Sequence, residues 1–260
     1  MATHRTLVFG DDGSPGADDA WQWIIAQRWP GWRVVALTAR TPPVGPPVEP
    51  ELAVPRPWQP PSSREAPPAA EIAAVEHLTV VADPRIALGD FDGADIVVVG
   101  PTGRGMLKSL HLGSTADWLI GDLATPVVVA RAPRLGAPVL LAVDGSGPAD
   151  LAVAQLAGLP WIRGTEVVVL GVDDGRSDAE AAVAGAVPAL EAAGAKVTAC
   201  EVEGSPTDVI LAEAEARGVG LVALGSRGLT RLRRLLVGST ASAVTRHADC
   251  SVLVVPVPSG

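Results

Sequence analysis

The feature that most constrains the fold of this chain is an internal repeat. Each copy contains the same glycine pattern near its end. The stretch "GPTGRGMLKSLHLGST" runs from Gly100 to Thr115, and "GSRGLTRLRRLLVGST" runs from Gly225 to Thr240. Three glycines of the first stretch, Gly100, Gly103 and Gly113, recur in register in the second as Gly225, Gly228 and Gly238. The chain of 260 residues is long enough for two cores of roughly 130 residues each. The repeat therefore predicts two copies of one domain.

Short apolar runs alternate with longer amphipathic stretches in both halves. The first half contains TLVFG, RVVAL, LTVV, DIVVV and PVVVA; the second contains PVLLAV, EVVVLGV, KVTACEV, GLVAL and SVLVV. Strands this apolar are typical of parallel sheets that helices cover on both faces. We therefore predict an α/β protein of two doubly wound domains, each a five-stranded, mainly parallel sheet with helices on both faces.

The segment "RAPRLGAP" separates the last strand of the first copy from the first strand of the second. We place the first domain at 1–134 and the second at 135–260. The first domain carries a proline-rich loop at 41–68, with eleven of the chain's 24 prolines. Proline neither continues a helix nor pairs within a sheet, so we expect a surface loop. It is either a polyproline ligand for a partner or, as we favour, a tolerated insertion.

Composition excludes several classes of partner. A formal net charge of −9 repels nucleic-acid phosphates, and only two aromatic residues other than tryptophan are present for base stacking. No apolar run approaches the roughly 20 residues of a membrane span. The opening "MATHRTLVFGDDGS" has no signal-peptide pattern. We therefore expect a soluble, cytoplasmic protein that binds neither nucleic acid nor membranes.

Each half opens with a strand that runs into Asp-Gly-Ser, which begins at Asp12 and at Asp144. The first and fourth strands of an open parallel sheet can be neighbours at the topological switch point, where ligands bind. Each Asp would then share a pocket with a glycine loop. The carboxylate can accept hydrogen bonds from ribose hydroxyls, while the glycines expose backbone N–H groups to phosphates at a helix start. The sequence predicts a mononucleotide site in each half.

The spacing Gly-x-x-Gly, nine residues, then Gly-Ser resembles the ATP-binding signature of the universal stress protein family. Nearly the whole chain resembles a tandem, two-domain member of that family. The resemblance implies a Rossmann-like fold, ATP bound with Mg²⁺ or Mn²⁺, a role in stress response or dormancy, and adenine contacts from the backbone of Ala39 and Val172. The predicted nucleotide-binding residues are Asp12, Ala39, Gly100, Gly103, Gly113, Ser114 and Thr115 in the first half, and Asp144, Val172, Gly225, Ser226, Gly228, Gly238, Ser239 and Thr240 in the second.

The family resemblance also implies how the halves assemble. In the family the last strand pairs with its twin, and "PVVVA" and "SVLVV" are the last strands of the two halves here. One tandem chain can pair them with each other, so we expect an intramolecular pseudo-dimer. Dimerisation of whole chains is left open, and the protein partner is unidentified. Four of the seven tryptophans lie in "WQWIIAQRWPGW", a spacing typical of a core or an interface.

The two copies differ at positions that bear on nucleotide binding. Pro101 follows Gly100 and lacks the N–H group that Ser226 keeps after Gly225. The segment from Pro84 to the first glycine is also three residues shorter than its counterpart in the second half. We therefore expect the second site to bind nucleotide more tightly than the first.

No pair of nucleophile and base is recognisable, and the four histidines lack partners at ligand spacing. We therefore predict a non-catalytic, nucleotide-dependent regulator. Two alternatives remain open: an enzyme of the same broad fold that hydrolyses ATP or performs adenylyl chemistry, and a partner-binding module with decayed nucleotide sites. Four arginines beside the second glycine signature either contact phosphate or form an exposed basic face: Arg227, Arg231, Arg233 and Arg234.

Overall fold

The computed structural model describes residues 5–41, 63–103, 112–122, 124–175, 177–226 and 238–257. Its strands are β1 Thr6–Gly10, β2 Arg33–Ala39, β3 Ala74–Val80, β4 Ile96–Val99, β5 Val127–Val129, β6 Val139–Val143, β7 Glu166–Asp173, β8 Lys196–Glu203, β9 Leu221–Gly225 and β10 Ser251–Val255. Its α-helices are α1 Pro15–Ala26, α2 Pro84–Gly89, α3 Ser114–Asp122, α4 Gly147–Ala157, α5 Ala179–Ala192, α6 Pro206–Ala216 and α7 Ser239–His247. A 3₁₀ helix covers Pro68–Ala70.

The ten strands form one sheet in the order β3-β2-β1-β4-β5-β10-β9-β6-β7-β8. Each half has the same internal order, and its strands pair in parallel. Strands β5 and β10 pair antiparallel where the halves meet, with Val128 opposite Leu253. The predicted α/β, doubly wound fold is therefore confirmed, and the two five-stranded sheets join into one at the strands expected to pair.

Helices cover the sheet on both faces because successive side chains of an apolar strand point to opposite sides. In β1, Leu7 and Phe9 belong to a core cluster under α1, α4 and α5, while Val8 belongs to a second cluster on the other face. The second cluster lies under α2, α3, α6 and α7. Among the described residues, no helix is both long and apolar enough to cross a lipid bilayer.

Tryptophans from the two halves meet on the first of these faces. The rings of Trp23 and Trp29 lie edge-on to Trp161, with centroid distances of 6.4 Å and 6.3 Å. Arg5 in the first half donates from Nη1 to the carbonyl oxygen of Gly158 in the second, at 3.1 Å. The tryptophan-rich stretch therefore contributes to the interface between the halves, and such edge-to-face pairs add to the stabilisation by buried area.

Arg131 connects the end of the first half to the last helix of the second. Its guanidinium donates to the carbonyl oxygens of Cys250 and Thr245, each at 2.8 Å. Its backbone N–H donates to Ser251 Oγ at 3.0 Å. Burial lowers the pKa of the Arg131 guanidinium from its ordinary value. The cation satisfies carbonyls at the end of α7, where a positive charge also compensates the helix dipole.

We expect Arg131→Met to lower the free energy of unfolding by about 2–3 kcal/mol, because two buried carbonyl groups lose a charged donor. Urea denaturation followed by circular dichroism measures this change. Arg85→Met is the matched control, since Arg85 is exposed and its side chain bonds to Asp83 in the same turn. Equal effects of the two substitutions would contradict a role for Arg131 at the junction of the halves.

Candidate functional site

Two cavities open at the carboxyl ends of the strands, one in each half. The first has a volume of about 530 Å³ and the second about 310 Å³. Both volumes fall in the range of about 300–1,000 Å³ that is typical of small-molecule pockets. The first lies between β1 and β4 and the second between β6 and β9, the neighbouring first and fourth strands of each half. These are the switch points at which open α/β sheets bind ligands.

The predicted site residues within the described ranges line these two cavities. The first cavity is lined by Asp12, Ala39, Gly100, Gly103, Gly113, Ser114 and Thr115. The second is lined by Asp144, Val172, Gly225, Ser226, Gly238, Ser239 and Thr240. Gly228 and the four arginines at 227, 231, 233 and 234 lie outside the described residues. Each half therefore brings its Asp and the described glycines of its signature to one cavity.

The Asp-Gly-Ser motif of the first half builds the turn from β1 into α1. Asp12 Oδ1 accepts from the Ser14 N–H at 3.0 Å, and Gly13 has a φ of +67° that favours glycine. Ser14 Oγ then caps α1 by accepting from the Ala17 N–H at 3.1 Å. The motif thus positions the Asp carboxylate at the carboxyl end of the strand.

The second half repeats this turn between β6 and α4. Asp144 Oδ1 accepts from the Ser146 N–H at 3.0 Å, and Gly145 has a φ of +72°. Ser146 caps α4 through the Ala149 N–H at 3.4 Å. The shared local geometry explains why Asp-Gly-Ser occurs at both strand ends, independently of any ligand.

The first glycine of each signature allows a close approach between strand and helix. A Cβ atom at Gly100 would lie 2.4 Å from the carbonyl oxygen of Gly16 in α1. At Gly225 it would lie 2.6 Å from the carbonyl carbon of Pro148 in α4. No side chain fits at either position, so helix packing alone accounts for these two glycines. Both glycines were predicted to contact phosphate, a role that this packing does not require.

The glycine loop of the first half closes beside Asp12. The Gly113 N–H donates to the Pro101 carbonyl oxygen at 2.6 Å, just before α3 begins. A Cβ atom at Gly103 would lie 2.7 Å from Asp12 Oδ2, so glycine leaves room for the carboxylate. In the second half the Gly238 N–H donates to the Ser226 carbonyl oxygen at 2.7 Å. The two loops thus close through equivalent hydrogen bonds.

One reason for ranking the second site above the first is wrong. The backbone N–H of Ser226 donates to the carbonyl oxygen of Val255 in β10 at 2.7 Å. It is therefore not a phosphate donor, and Pro101 deletes no such donor from the first site. The second reason was the shorter segment between Pro84 and Gly100. It agrees with the structure, because α2 has six residues where α6 has eleven. The first cavity, beside the shorter helix α2, is the larger of the two.

Sequence reasoning missed an arginine beside the first cavity. Arg64, at the described end of the proline-rich loop, donates from Nε and Nη2 to the two carboxylate oxygens of Asp11 at 2.7 Å and 2.8 Å. Its Nη1 donates to Asp18 Oδ1 at 2.8 Å. The guanidinium lies 5.7 Å from the ring centroid of Phe9. These contacts raise the pKa of Arg64 above its ordinary value, with the bond to Asp11 as the largest cause.

The position of Asp11 in the repeat gave a signal that could have revealed this pair. Asp11 precedes the Asp-Gly-Ser motif, and its counterpart in the second half is Val143. An additional carboxylate and an additional loop therefore occur in the same half. Asp11 lines the first cavity and its side chain is only 2% exposed, so it needs a cationic partner. The Arg64 pair anchors the end of the insertion to the turn that positions Asp12.

We expect Arg64→Met to lower the free energy of unfolding by about 3–5 kcal/mol, because it leaves the buried Asp11 carboxylate without its cation. The double variant Arg64→Met/Asp11→Val should recover to within about 1 kcal/mol of the wild type, since an apolar pair replaces the ion pair. Val143 supports this design by occupying the same place in the second half. Thermal and urea unfolding measure both values. A double variant as unstable as Arg64→Met would contradict the interpretation.

Comparison with known proteins gives consistent matches in both halves. The model of the universal stress protein family matches residues 3–131 and 175–256. A universal stress protein of Synechocystis sp. is 28% identical over 169 residues, 64% of this chain and 58% of that protein. A universal stress protein of Mycolicibacterium smegmatis is 31% identical over 183 residues, 62% of each protein. The chain therefore spans less than two thirds of the length of these two relatives.

One solved structure aligns with both halves of the chain. The crystal structure of a universal stress protein from Archaeoglobus fulgidus matches 98% of this chain and 99% of its own length. The TM-score is 0.65 and the sequence identity is 18%. At this identity the match establishes the fold.

Proposed function

This chain belongs to the universal stress protein family, and we propose that it is an ATP-binding, non-catalytic regulator. The observation that carries the proposal is the duplicated cavity. Two halves that differ in loops and helix lengths each bring an Asp carboxylate, a glycine loop and a helix beginning Ser-Thr to one pocket. Family membership supports a role in stress response or dormancy. We further propose that the protein acts in the cytoplasm.

We propose the same orientation of ATP in both pockets. Asp12 and Asp144 accept hydrogen bonds from the ribose hydroxyls. The backbone of Ala39 and of Val172 contacts adenine. The Val172 carbonyl oxygen already accepts from Ser177 Oγ at 3.1 Å, and a carbonyl oxygen has a second lone pair for a ligand.

The phosphates are proposed to lie against the glycine loops and the starts of α3 and α7. These helix starts carry the hydroxyl pairs Ser114-Thr115 and Ser239-Thr240, which line the two cavities. Free N–H groups and the positive end of the helix dipole favour an anion there. Gly103 leaves room for the Asp12 carboxylate, which we assign to the ribose hydroxyls next to the phosphates.

A divalent ion would reach the protein mainly through the nucleotide. In the part of the chain that the structure describes, no group of three or more His, Cys, Asp or Glu residues is arranged to hold a metal ion. Mg²⁺ commonly binds one or two protein groups together with substrate phosphates and water. We therefore propose that Mg²⁺ or Mn²⁺ enters with ATP, held by its phosphate oxygens.

The proposed domain limits are 1–134 and 135–260. Each unit then contains five strands in the same order, β1 to β5 and β6 to β10. The connection of residues 131–138 lies between the last strand of one unit and the first of the next. These limits support the interpretation of the chain as two complete copies of one family domain.

Three of the four carboxylates among the described lining residues of the two cavities are engaged in contacts within the protein, which supports binding without rapid turnover. Asp11 is occupied by Arg64, and Asp12 and Asp144 each hold a serine backbone amide. A positioned general base contributes roughly 10²–10⁴ to a reaction rate. Carboxylates that organise the turn are poorly placed to supply it. These engaged carboxylates favour the regulator over the ATP-hydrolysing alternative.

We expect steady-state ATP hydrolysis by the purified chain to stay below about one turnover per second, under the median of roughly ten per second for enzymes. Phosphate release with ATP and Mg²⁺ measures the rate. Asp12→Ala and Asp144→Ala, which remove the proposed ribose contacts, test whether any measured rate comes from these two sites. A faster rate that Asp144→Ala abolishes would show that the second site is catalytic.

We expect ATP to bind at two sites per chain, with the second site tighter because its wall encloses the ligand more closely. A Cβ atom at Gly113 would already lie 3.3 Å from the Pro101 carbonyl oxygen. Gly113→Val should therefore displace the first glycine loop and weaken the weaker phase at least about tenfold. Gly238→Val should do the same to the tighter phase. Isothermal titration calorimetry resolves the tighter and the weaker binding phase.

Gly185→Val is the matched control, because Gly185 is exposed in α5 and a Cβ atom there has open space. It should leave both binding phases intact. Circular dichroism confirms that each variant folds. Loss of the tighter phase in Gly113→Val would reverse the ranking of the two sites, and unchanged binding in both pocket variants would refute the sites.

A further inference from the structure

We propose that a third cavity, at the junction of the two halves, binds a small aromatic anion. This cavity, the seam cleft, has a volume of about 390 Å³. The starts of β6, β7, β8 and β9 form its floor in the second half. The end of α1, with Trp23 and Gln27, and the connection at residues 134–137 close it. It lies at the amino ends of these strands and shares no lining residue with either nucleotide cavity.

Positive charge exceeds negative charge among the described residues that line the seam cleft. Arg163 and Lys196 line the cleft, and neither forms an ion pair with a carboxylate of the described residues. Arg134 also lines it and donates to the carbonyl oxygens of Val219 and Asp249. Among the described lining residues, three cations stand against one carboxylate, Glu166, which gives a net charge of +2.

The comparable edge of the first half is organised differently. Two of its arginines have carboxylate partners, Arg28 with Glu71 and Arg33 with Glu76, while Arg5 donates to the carbonyl oxygen of Gly158. The whole chain carries a net charge of −9. Two unpaired cations in a concave site of an acidic protein concentrate small anions at that site. The net positive charge of the seam cleft therefore favours an anionic ligand.

The structure seats the guanidinium of Arg163 against the backbone. A Cβ atom at Gly194 would lie 3.0 Å from Arg163 Nη1 and 3.2 Å from its Cζ. Gly194 has a φ of +87°, which favours glycine. Because glycine leaves this space, the guanidinium packs against the turn at Gly194, and Arg163 lines the cleft. A pre-positioned fork of N–H donors suits a sulfonate, carboxylate or phosphate group.

The apolar part of the seam cleft suits an aromatic ring. Trp23 and Trp161 line it with their rings at 88° to each other. Leu135, a neighbour in the lining, has 81% of its surface exposed. Among the side chains described, the buried indole Nε1 of Trp161 has no hydrogen-bond partner. Aromatic rings favour edge-to-face contact with tryptophan, so a planar ring bearing an acidic group matches both parts of the cleft.

The first test follows the indole N–H signals of the folded full-length chain by nuclear magnetic resonance, with naphthalene-1-sulfonate as the probe. Trp161→Phe identifies the Trp161 signal. We expect a saturable shift of that signal with one site per chain. Naphthalene-1-methanol, which has the ring without the charge, should bind at least about tenfold more weakly. Equal affinities of the two probes, or no shift of the Trp161 signal, would overturn the proposal.

The second test uses variants, with affinity measured by calorimetry. Arg163→Gln/Lys196→Gln should weaken naphthalene-1-sulfonate binding at least about tenfold, because both charged contacts are lost. Arg85→Gln/Arg217→Gln removes the same charge from exposed positions outside the cleft and should leave the affinity unchanged. Equal affinities of the two double variants would refute the assignment. Loss of probe binding in Gly113→Val/Gly238→Val would assign the probe to the nucleotide cavities and also refute it.

Discussion

The antiparallel pairing of β5 with β10 is the contact on which the arrangement of this chain depends. It joins two parallel five-stranded sheets in one register, with Val127 opposite Val254. Each end strand alone would leave a row of N–H and C=O groups unpaired, so the pairing removes two exposed edges. Because the partners run in opposite directions, the halves present their carboxyl ends in opposite directions at the junction. Each half therefore keeps a cavity of its own.

The sequence predicted the strands well where burial alone determines them. Ile96–Val99 in β4 is apolar at every position because helices cover both of its faces. The prediction was poorer at the edge. Strand β3 begins at Ala74, four residues before the apolar run LTVV, and its residues pair one by one with β2. Exposed edge residues such as Glu76 and His77 carry no apolar signal, so only the pairing with a neighbour defines the strand.

Contacts between distant segments explain what the sequence could not predict in the candidate site. The N–H of Ser226 bonds to Val255 in β10, and the space at Gly100 is occupied by the backbone of Gly16. Val255 and Gly16 lie outside the glycine signatures. From the signatures alone, Ser226 and Gly100 fit a phosphate-binding loop equally well. The bond between Asp11 and Arg64 likewise joins residues 53 positions apart. Local patterns predicted which residues line the pockets. The hydrogen-bond partner of each backbone group depended on tertiary packing instead.

The two pockets share the hydrogen bonds of the Asp-Gly-Ser turn and of the loop closure. The residues at their entrances differ. Arg40 lines the first cavity and Asp174 the second, so an anion meets opposite charges at the two entrances. Both residues are exposed, and an exposed charge pair contributes about 1 kcal/mol or less because water screens it. The longer helix α6 instead adds Ile210, which is 3% exposed, to the wall of the second cavity. Enclosure by a buried wall also excludes the water that screens charge, so it has the larger effect on how tightly each half holds its ligand.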